Sequence, residues 1–198
     1  MGRGDTHAST PVAARVRRLE ERLIEAGLVS EPQLDEILAR YLAGASPLNG
    51  ARIVARAWTD DDFRSRLLRD ANSTITDLGL SMASGLQEQQ LKVVANTPRE
   101  HNVIVCTLCS CYPIGLLGPS PSWYKSEAYR SRVVREPRAV LGEFGLTLPD
   151  DVEIMVWDSS SERRYLVLPL RPADTEGLGE DDLVGVVTRE GLIGTAAV

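Results

Sequence analysis

The chain's three cysteines fall within six consecutive positions, Cys106-Thr107-Leu108-Cys109-Ser110-Cys111. An odd number packed this tightly cannot be a disulfide framework of the secreted type, so the cluster points to metal or redox chemistry. Cys109-Ser110-Cys111 can wrap a single ion. The Cys109 thiolate and the Ser110 amide nitrogen close one chelate ring, the amide nitrogens of Ser110 and Cys111 close a second, and Cys111 closes a third with its own nitrogen and sulfur. Two sulfurs and two nitrogens then share a plane. Cys106 can cap one axial face and leave the opposite one open. Ionised amide nitrogens suit a trivalent, low-spin ion better than zinc, which prefers tetrahedral thiolate and imidazole ligands. A planar donor set with an open axial position describes a Lewis-acid site.

Two plainer readings stay open on the residues alone. A structural zinc site needs a fourth ligand, and His7 and His101 are the only histidines. His101, on the approach to a strand, would complete a Cys3His set. A metal-free switch between thiol and disulfide is the other.

The surrounding pattern shows what must position the cluster. Residues 1–10 read as a disordered tail. Val12, Val16, Leu19 and Leu23 recur at helical spacing between Pro11 and Ala26, with Gly27 placed to stop that helix. Ser30-Glu31-Pro32 opens a second helix, through Leu42, with proline in its first turn. A Gly/Ser/Pro break over 44–47 precedes a third, about Leu48 to Trp58. Thr59-Asp60-Asp61-Asp62 caps a fourth that runs to about Leu78 and stops at Gly79. Beyond Gly85, the short apolar runs 91–94 and 103–105 read as strands, so the cysteine run is a loop at a strand end. Glu136 to Phe144 reads as a helix. Val152 to Trp157 and Tyr165 to Pro169 read as strands paired across a turn at Asp158-Ser159-Ser160. Asp181 to Thr188 reads as the last helix, before an apolar segment from Leu192. The fold class is α+β, with a tail at 1–10, a helical N-terminal arm at 11–80 and a layered α/β metal-binding catalytic domain at 81–198.

Composition narrows the partners. A net charge of -6 argues against nucleic acid. No stretch approaches the roughly 20 apolar residues of a membrane span, and no signal-peptide core follows Met1, so a cytoplasmic protein without a membrane partner is expected. Met1 to Thr6 fits the bare myristoylation pattern. A single acyl chain without a polybasic partner anchors weakly, and a polar tail is the reading adopted. The arginines from Arg130 to Arg138 read as a solvated helix face or as partners of acids at a subunit contact. Trp58 and Trp157 read as core or interface residues.

The run Val105-Cys106-Thr107-Leu108-Cys109-Ser110-Cys111-Tyr112-Pro113 resembles the metal-binding signature of nitrile hydratase α subunits, in its cobalt form. Trp123-Tyr124-Lys125, the stretch Tyr129 to Arg138, Val156-Trp157-Asp158-Ser159 and Arg171 to Gly177 are similar to family segments. The resemblance covers roughly residues 48–198 and implies a set of roles. Cys106, Cys109 and Cys111 would ligate Co(III) through sulfur, and Ser110 and Cys111 through backbone nitrogen. Cys106 would stay an axial thiolate, Cys109 would become a sulfinate and Cys111 a sulfenate. Gln87 would orient water beside the metal. A β subunit, in one chain or split in two, would supply arginines to the oxidised sulfurs, and an activator protein would load the cobalt. The implied reaction hydrates a nitrile to an amide, with the metal polarising the nitrile and either the Cys111 sulfenate or a water as nucleophile.

Two departures bear on specificity. Ile114-Gly115 stands where family members have Trp-Pro, which predicts a reshaped pocket and a bulky heteroaromatic nitrile such as toyocamycin. Gln89 stands where a glutamate is frequent, which puts that residue's role near the metal in doubt. The thiocyanate hydrolase γ subunit is the closest alternative, and a non-catalytic zinc or thiol module the alternative from another class.

Overall fold

This computed structural model describes residues 11–82, 89–109 and 111–198. It divides into two compact units, Met1–Ala43 and Gly44–Val198. The tail expected over residues 1–10 lies outside the described residues, and the expected arm of 11–80 spans both units. In the first unit, α1 (Pro11–Glu25) ends where Gly27 takes φ 65° and the Leu28 N–H reaches back to the Leu23 carbonyl at 3.0 Å. That is a helix stop by left-handed glycine. The second helix, α2 (Glu31–Ala43), opens in a reciprocal cap. The Ser30 N–H donates to the Gln33 side chain at 3.0 Å, and the Gln33 N–H donates to the Ser30 hydroxyl at 3.4 Å. Leu19 of α1 and Ile37, Leu38 and Leu42 of α2 are exposed. No described helix is long and apolar enough to cross a membrane.

The second unit begins with α3 (Pro47–Thr59), capped by the Ser46 hydroxyl, which accepts from the Leu48 N–H at 3.2 Å. Its apolar face, with Ala51, Ile53, Val54 and Ala57, is buried. At Gly50 a Cβ would lie 2.6 Å from Leu192 Cδ1 and 3.0 Å from the Leu116 carbonyl, so glycine lets this helix close on its neighbours. The fourth helix is shorter than the sequence suggests. α4 (Asp61–Arg69) halts at Asp70, whose φ of -143° is not helical. The Asp70 carboxylate accepts from the Ser73 N–H and so starts α5 (Ala71–Thr74), followed by a 3-10 turn over Ile75–Leu78 that Gly79 closes at φ 69°. An aspartate that can bond the backbone locally competes with helix continuation, and here it wins.

Four strands form two parallel pairs: β1 (Gln90–Ala95) with β4 (Arg163–Leu168), and β2 (Glu100–Val105) with β3 (Glu153–Asp158). The two later strands lie where expected, but they do not pair across a turn. Segment 159–162 instead carries the chain from one sheet to the other. The reason is burial: all but the first residues of β2 and β4 are buried without alternation, the mark of strands covered on both faces. Rings of Trp157 on β3 and Tyr165 on β4, 5.3 Å apart, bridge the sheets.

Three further helices follow β2: α6 (Ile114–Leu117), α7 (Glu127–Arg132) and α8 (Pro137–Glu143). The expected last helix, 181–188, ends early, and a separate helix follows it. α9 (Glu180–Val184) ends at Gly185, and α10 (Arg189–Ile193) starts afresh because the Thr188 hydroxyl caps the Gly191 N–H at 3.0 Å. Gly194 closes α10 at φ 88°, and a Cβ there would lie 1.9 Å from the Asn102 carbonyl oxygen. Only glycine meets both demands, and this fixes α10 against β2.

Candidate metal centre

The cysteine loop leaves the carboxyl end of β2, beside the carboxyl end of β3, the side of a parallel sheet where binding loops gather. Val105 is in register with Asp158, and the Ser159 N–H donates to the Val105 carbonyl at 2.7 Å. That register delivers the Asp158 carboxylate to the first turn of the loop. It accepts from the Thr107 N–H at 2.9 Å and from the Thr107 hydroxyl at 2.5 Å. From α7, Arg130 donates to the carbonyls of Thr107 and Cys109, each at 3.3 Å. The Tyr124 hydroxyl, fully buried, donates to the Cys111 carbonyl at 3.0 Å. Tyr124 packs edge-on to Tyr112 at 5.0 Å and beside Tyr129, whose hydroxyl donates to the Ile104 carbonyl at 2.6 Å. Burial pushes the hydroxyls of Tyr124 and Tyr129 well above the usual tyrosine range, so both stay protonated donors.

Within this frame the three sulfurs converge. Cys106 Sγ lies 3.2 Å from Cys109 Sγ, and Cys109 Sγ lies 3.1 Å from Cys111 Sγ. All three lie within 4.8 Å of one another, and none is in a disulfide. The Cys109 N–H also points to Cys106 Sγ at 3.4 Å. Burial pushes the Cys111 thiol up to about 12, the hydrogen bond with Cys109 adds to this, and the Arg164 charge opposes it. Without a cation Cys111 is therefore held as a thiol, while metal binding requires the thiolate.

These residues fit a thiophilic ion, and the spacing says which geometry suits them. With metal–sulfur bonds of about 2.3 Å, ligands at a right angle lie about 3.3 Å apart and tetrahedral ligands about 3.8 Å apart. The observed 3.2 and 3.1 Å match the right-angled arrangement. Orphaned polar atoms surround the loop as well. The Nε of Arg130, the Oγ of Ser159 and the Nε of Arg164 are buried without a hydrogen-bond partner among the described residues. Such groups are rare in native structures and mark a missing acceptor or ion.

The Cys3His alternative meets an obstacle. His101 is 6% exposed inside β2, its Nε2 donates to the Gly194 carbonyl at 2.8 Å, and its Nδ1 lies 3.2 Å from the Asn96 amide nitrogen. Both ring nitrogens are engaged, and burial lowers its pKa, so it is a neutral core histidine. His7 lies outside the described residues, as do two of the expected site residues, Ser110 and Gln87. The structure brings Cys106, Cys109 and Cys111 together. It adds Asp158, Arg130, Tyr124 and Arg164, which the sequence did not single out for the site. Asp158 reads as a turn residue until its parallel register is known. Arg130 belongs to the expected arginine-rich helix face, yet it turns inward, whereas Arg132 pairs outward with Glu136 and Glu143.

Comparison with known proteins agrees with this site. The family described as nitrile hydratase, alpha chain, matches residues 10–196. The low-molecular weight cobalt-containing nitrile hydratase subunit alpha of Rhodococcus rhodochrous is 50% identical over 185 residues, 93% of this chain and 88% of its own. Thiocyanate hydrolase subunit gamma of Thiobacillus thioparus is 42% identical over 186 residues, 90% of this chain and 76% of its own. Among solved structures, a double mutant of the Fe-type nitrile hydratase of Comamonas testosteroni Ni1 superposes with a TM-score of 0.85 at 40% identity, covering 94% of this chain and 89% of that one. A family match over nearly the whole length, with a cysteine triad built to hold a metal, leaves one conclusion: the chain belongs to the nitrile hydratase alpha chain family.

Proposed function

We propose that this chain is the metal-carrying subunit of a cobalt nitrile hydratase that adds water across a C≡N bond to give an amide. The observation that carries the proposal is the right-angled spacing of the Cys109 sulfur to those of Cys106 and Cys111 at the end of β2. Co(III) held there supplies Lewis acidity that makes a nitrile carbon electrophilic. Cys106, buried, would hold the ion as a thiolate, together with the sulfurs of Cys109 and Cys111 and the backbone nitrogens of Ser110 and Cys111. Cys109, exposed, would be carried as the sulfinate and Cys111 as the sulfenate, with molecular oxygen as the oxidant and source of the added oxygens. The Cys111 sulfenate oxygen would be the nucleophile toward the nitrile carbon, and Gln87 would orient the water whose net addition gives the amide. The companion is a β subunit, in one or two chains, and an activator loads the cobalt in the cytoplasm. Leu108, 91% exposed at the tip of the loop, offers the apolar surface such a companion would cover.

A second reading, the thiocyanate hydrolase γ subunit, draws support from the 42% identity to that protein. Elemental analysis of the purified complex, with parallel assays of amide from nitriles and carbonyl sulfide from thiocyanate, decides between them. Cobalt with amide formation is expected. Carbonyl sulfide as the main product would transfer the chain to the second reading, and zinc on unmodified thiols would end both.

Specificity rests on Ile114, a partly buried residue that opens α6 three positions after Cys111. Without a large ring at this point the pocket admits a bulky heteroaromatic nitrile, for which toyocamycin is the test case. Ile114→Trp is expected to lower kcat/KM for that substrate about tenfold or more relative to a small aliphatic nitrile, the scale of overfilling a pocket by 1–3 kcal/mol. An unchanged preference would remove Ile114 from the argument.

A further inference from the structure

Arg164 lies on β4, in register with Leu91, and is 7% exposed. Its Nη1 donates to the carbonyl of Ser160 and, at 3.4 Å, to that of Arg163. No carboxylate pairs with it among the described residues, and its Nε is buried without a partner. A buried cation left in this state is costly unless an anion offsets it. The anion must come from what the guanidinium faces. Ser160, which holds its head, follows the Asp158–Ser159 step that grips Val105 and Thr107, so Arg164 is anchored beside the cysteine loop. Arg130 flanks the same loop from α7, but it spends its Nη1 on backbone carbonyls and holds the loop's shape.

We infer that Arg164 is the loop's built-in counter-charge: a positioning residue whose guanidinium offsets the negative charge that three thiolates concentrate, its Nε–H unpartnered among the described residues and so available to the loop. The inference rests on the proposed metal-binding reading and adds to it a cation from this chain itself, distinct from any supplied by a companion. It predicts that charge at 164 matters more than shape, because a salt-bridge partner acts through its charge whereas a packing residue acts through its volume.

The test uses the assembled complex carrying Arg164→Gln or Arg164→Lys beside the wild type, with cobalt content, the rate of cobalt loss to a chelator and the sulfur-to-cobalt absorption band as readouts. For Arg164→Gln, cobalt loss about tenfold faster and a displaced band are expected, the scale on which residues supporting metal ligands act. Arg164→Lys is expected to stay close to the wild-type rate. Wild-type retention and an unmoved band in a folded Gln variant would overturn the inference. So would a Lys variant that loses cobalt as fast as the Gln variant, or one that fails to fold, since either assigns Arg164 to shape. A wild-type complex without cobalt would overturn the parent reading instead, and the control separates the two failures.

Discussion

Cys109→Ser is expected to strip the assembled protein of bound cobalt and to bring nitrile hydration below detection. Cys109 is the middle sulfur of the triad: it lies 3.2 Å from Cys106 and 3.1 Å from Cys111, so it makes both of the close sulfur–sulfur approaches. A serine hydroxyl occupies nearly the same volume but does not ionise to a comparable ligand. Structural zinc sites gain about 10–16 kcal/mol from their four ligands together, and on that scale one ligand is worth roughly 3 kcal/mol, about a hundredfold in affinity. The fold should survive, because Cys109 is exposed and the core lies in the strands below. Elemental analysis and circular dichroism on the same sample check both halves. A Cys109→Ser complex with full cobalt occupancy would refute the role given to this sulfur.

The second large effect is expected at Asp158. Its carboxylate takes both donors of Thr107, at 2.9 and 2.5 Å, and so fixes where the loop turns away from β2. Asp158→Asn retains one acceptor oxygen but sets an amide N–H2 against a donor. The pair is solvent-exposed, so the loss to global stability is small, about 1 kcal/mol or a few degrees in Tm. The loss to the site is larger, because ligand sulfurs tolerate little displacement. Cobalt retention and activity are expected to fall about tenfold together, with rescue by Asp158→Glu only in part. Retention equal to wild type would show that Thr107 needs no such anchor.

The two effects differ in how far the sequence foretold them. Cys109 was legible at once, since chelate ring sizes depend only on neighbours in the chain, and the strand before it was visible as the apolar run 103–105. The helix starts at Ser30 and Ser46 were equally local, each a side chain bonding a nearby N–H. Asp158 was not legible as a site residue. Its role depends on β2 and β3 lying parallel in register, a fact no local pattern carries. The short interval between β3 and β4 invites a hairpin, and only unbroken burial along both β2 and β4 argues for crossing sheets. Asp70 was misjudged for a related reason: a helix-ending role and a mid-helix role look alike until the backbone is seen to leave helical geometry there. The inward turn of Arg130 and the burial of Arg164 were likewise invisible, because an arginine in a charged run looks solvated until its neighbours are placed.

The parallel pairing also sets an order of events during synthesis. The Thr107–Asp158 clamp joins residues 51 positions apart, and β1 meets β4 through Gln90 and Arg163, 73 positions apart. When the ribosome has just released the cysteines, β3 and β4, which pair with β2 and β1, have not been made. Local helices can form early, but contacts of such long reach are made late and slowly. The cradle therefore exists only once nearly the whole polypeptide has emerged. A cation reaching the nascent thiols before then meets three flexible donors selective only for soft ions as a class, and finer discrimination between metals begins only with the finished chain.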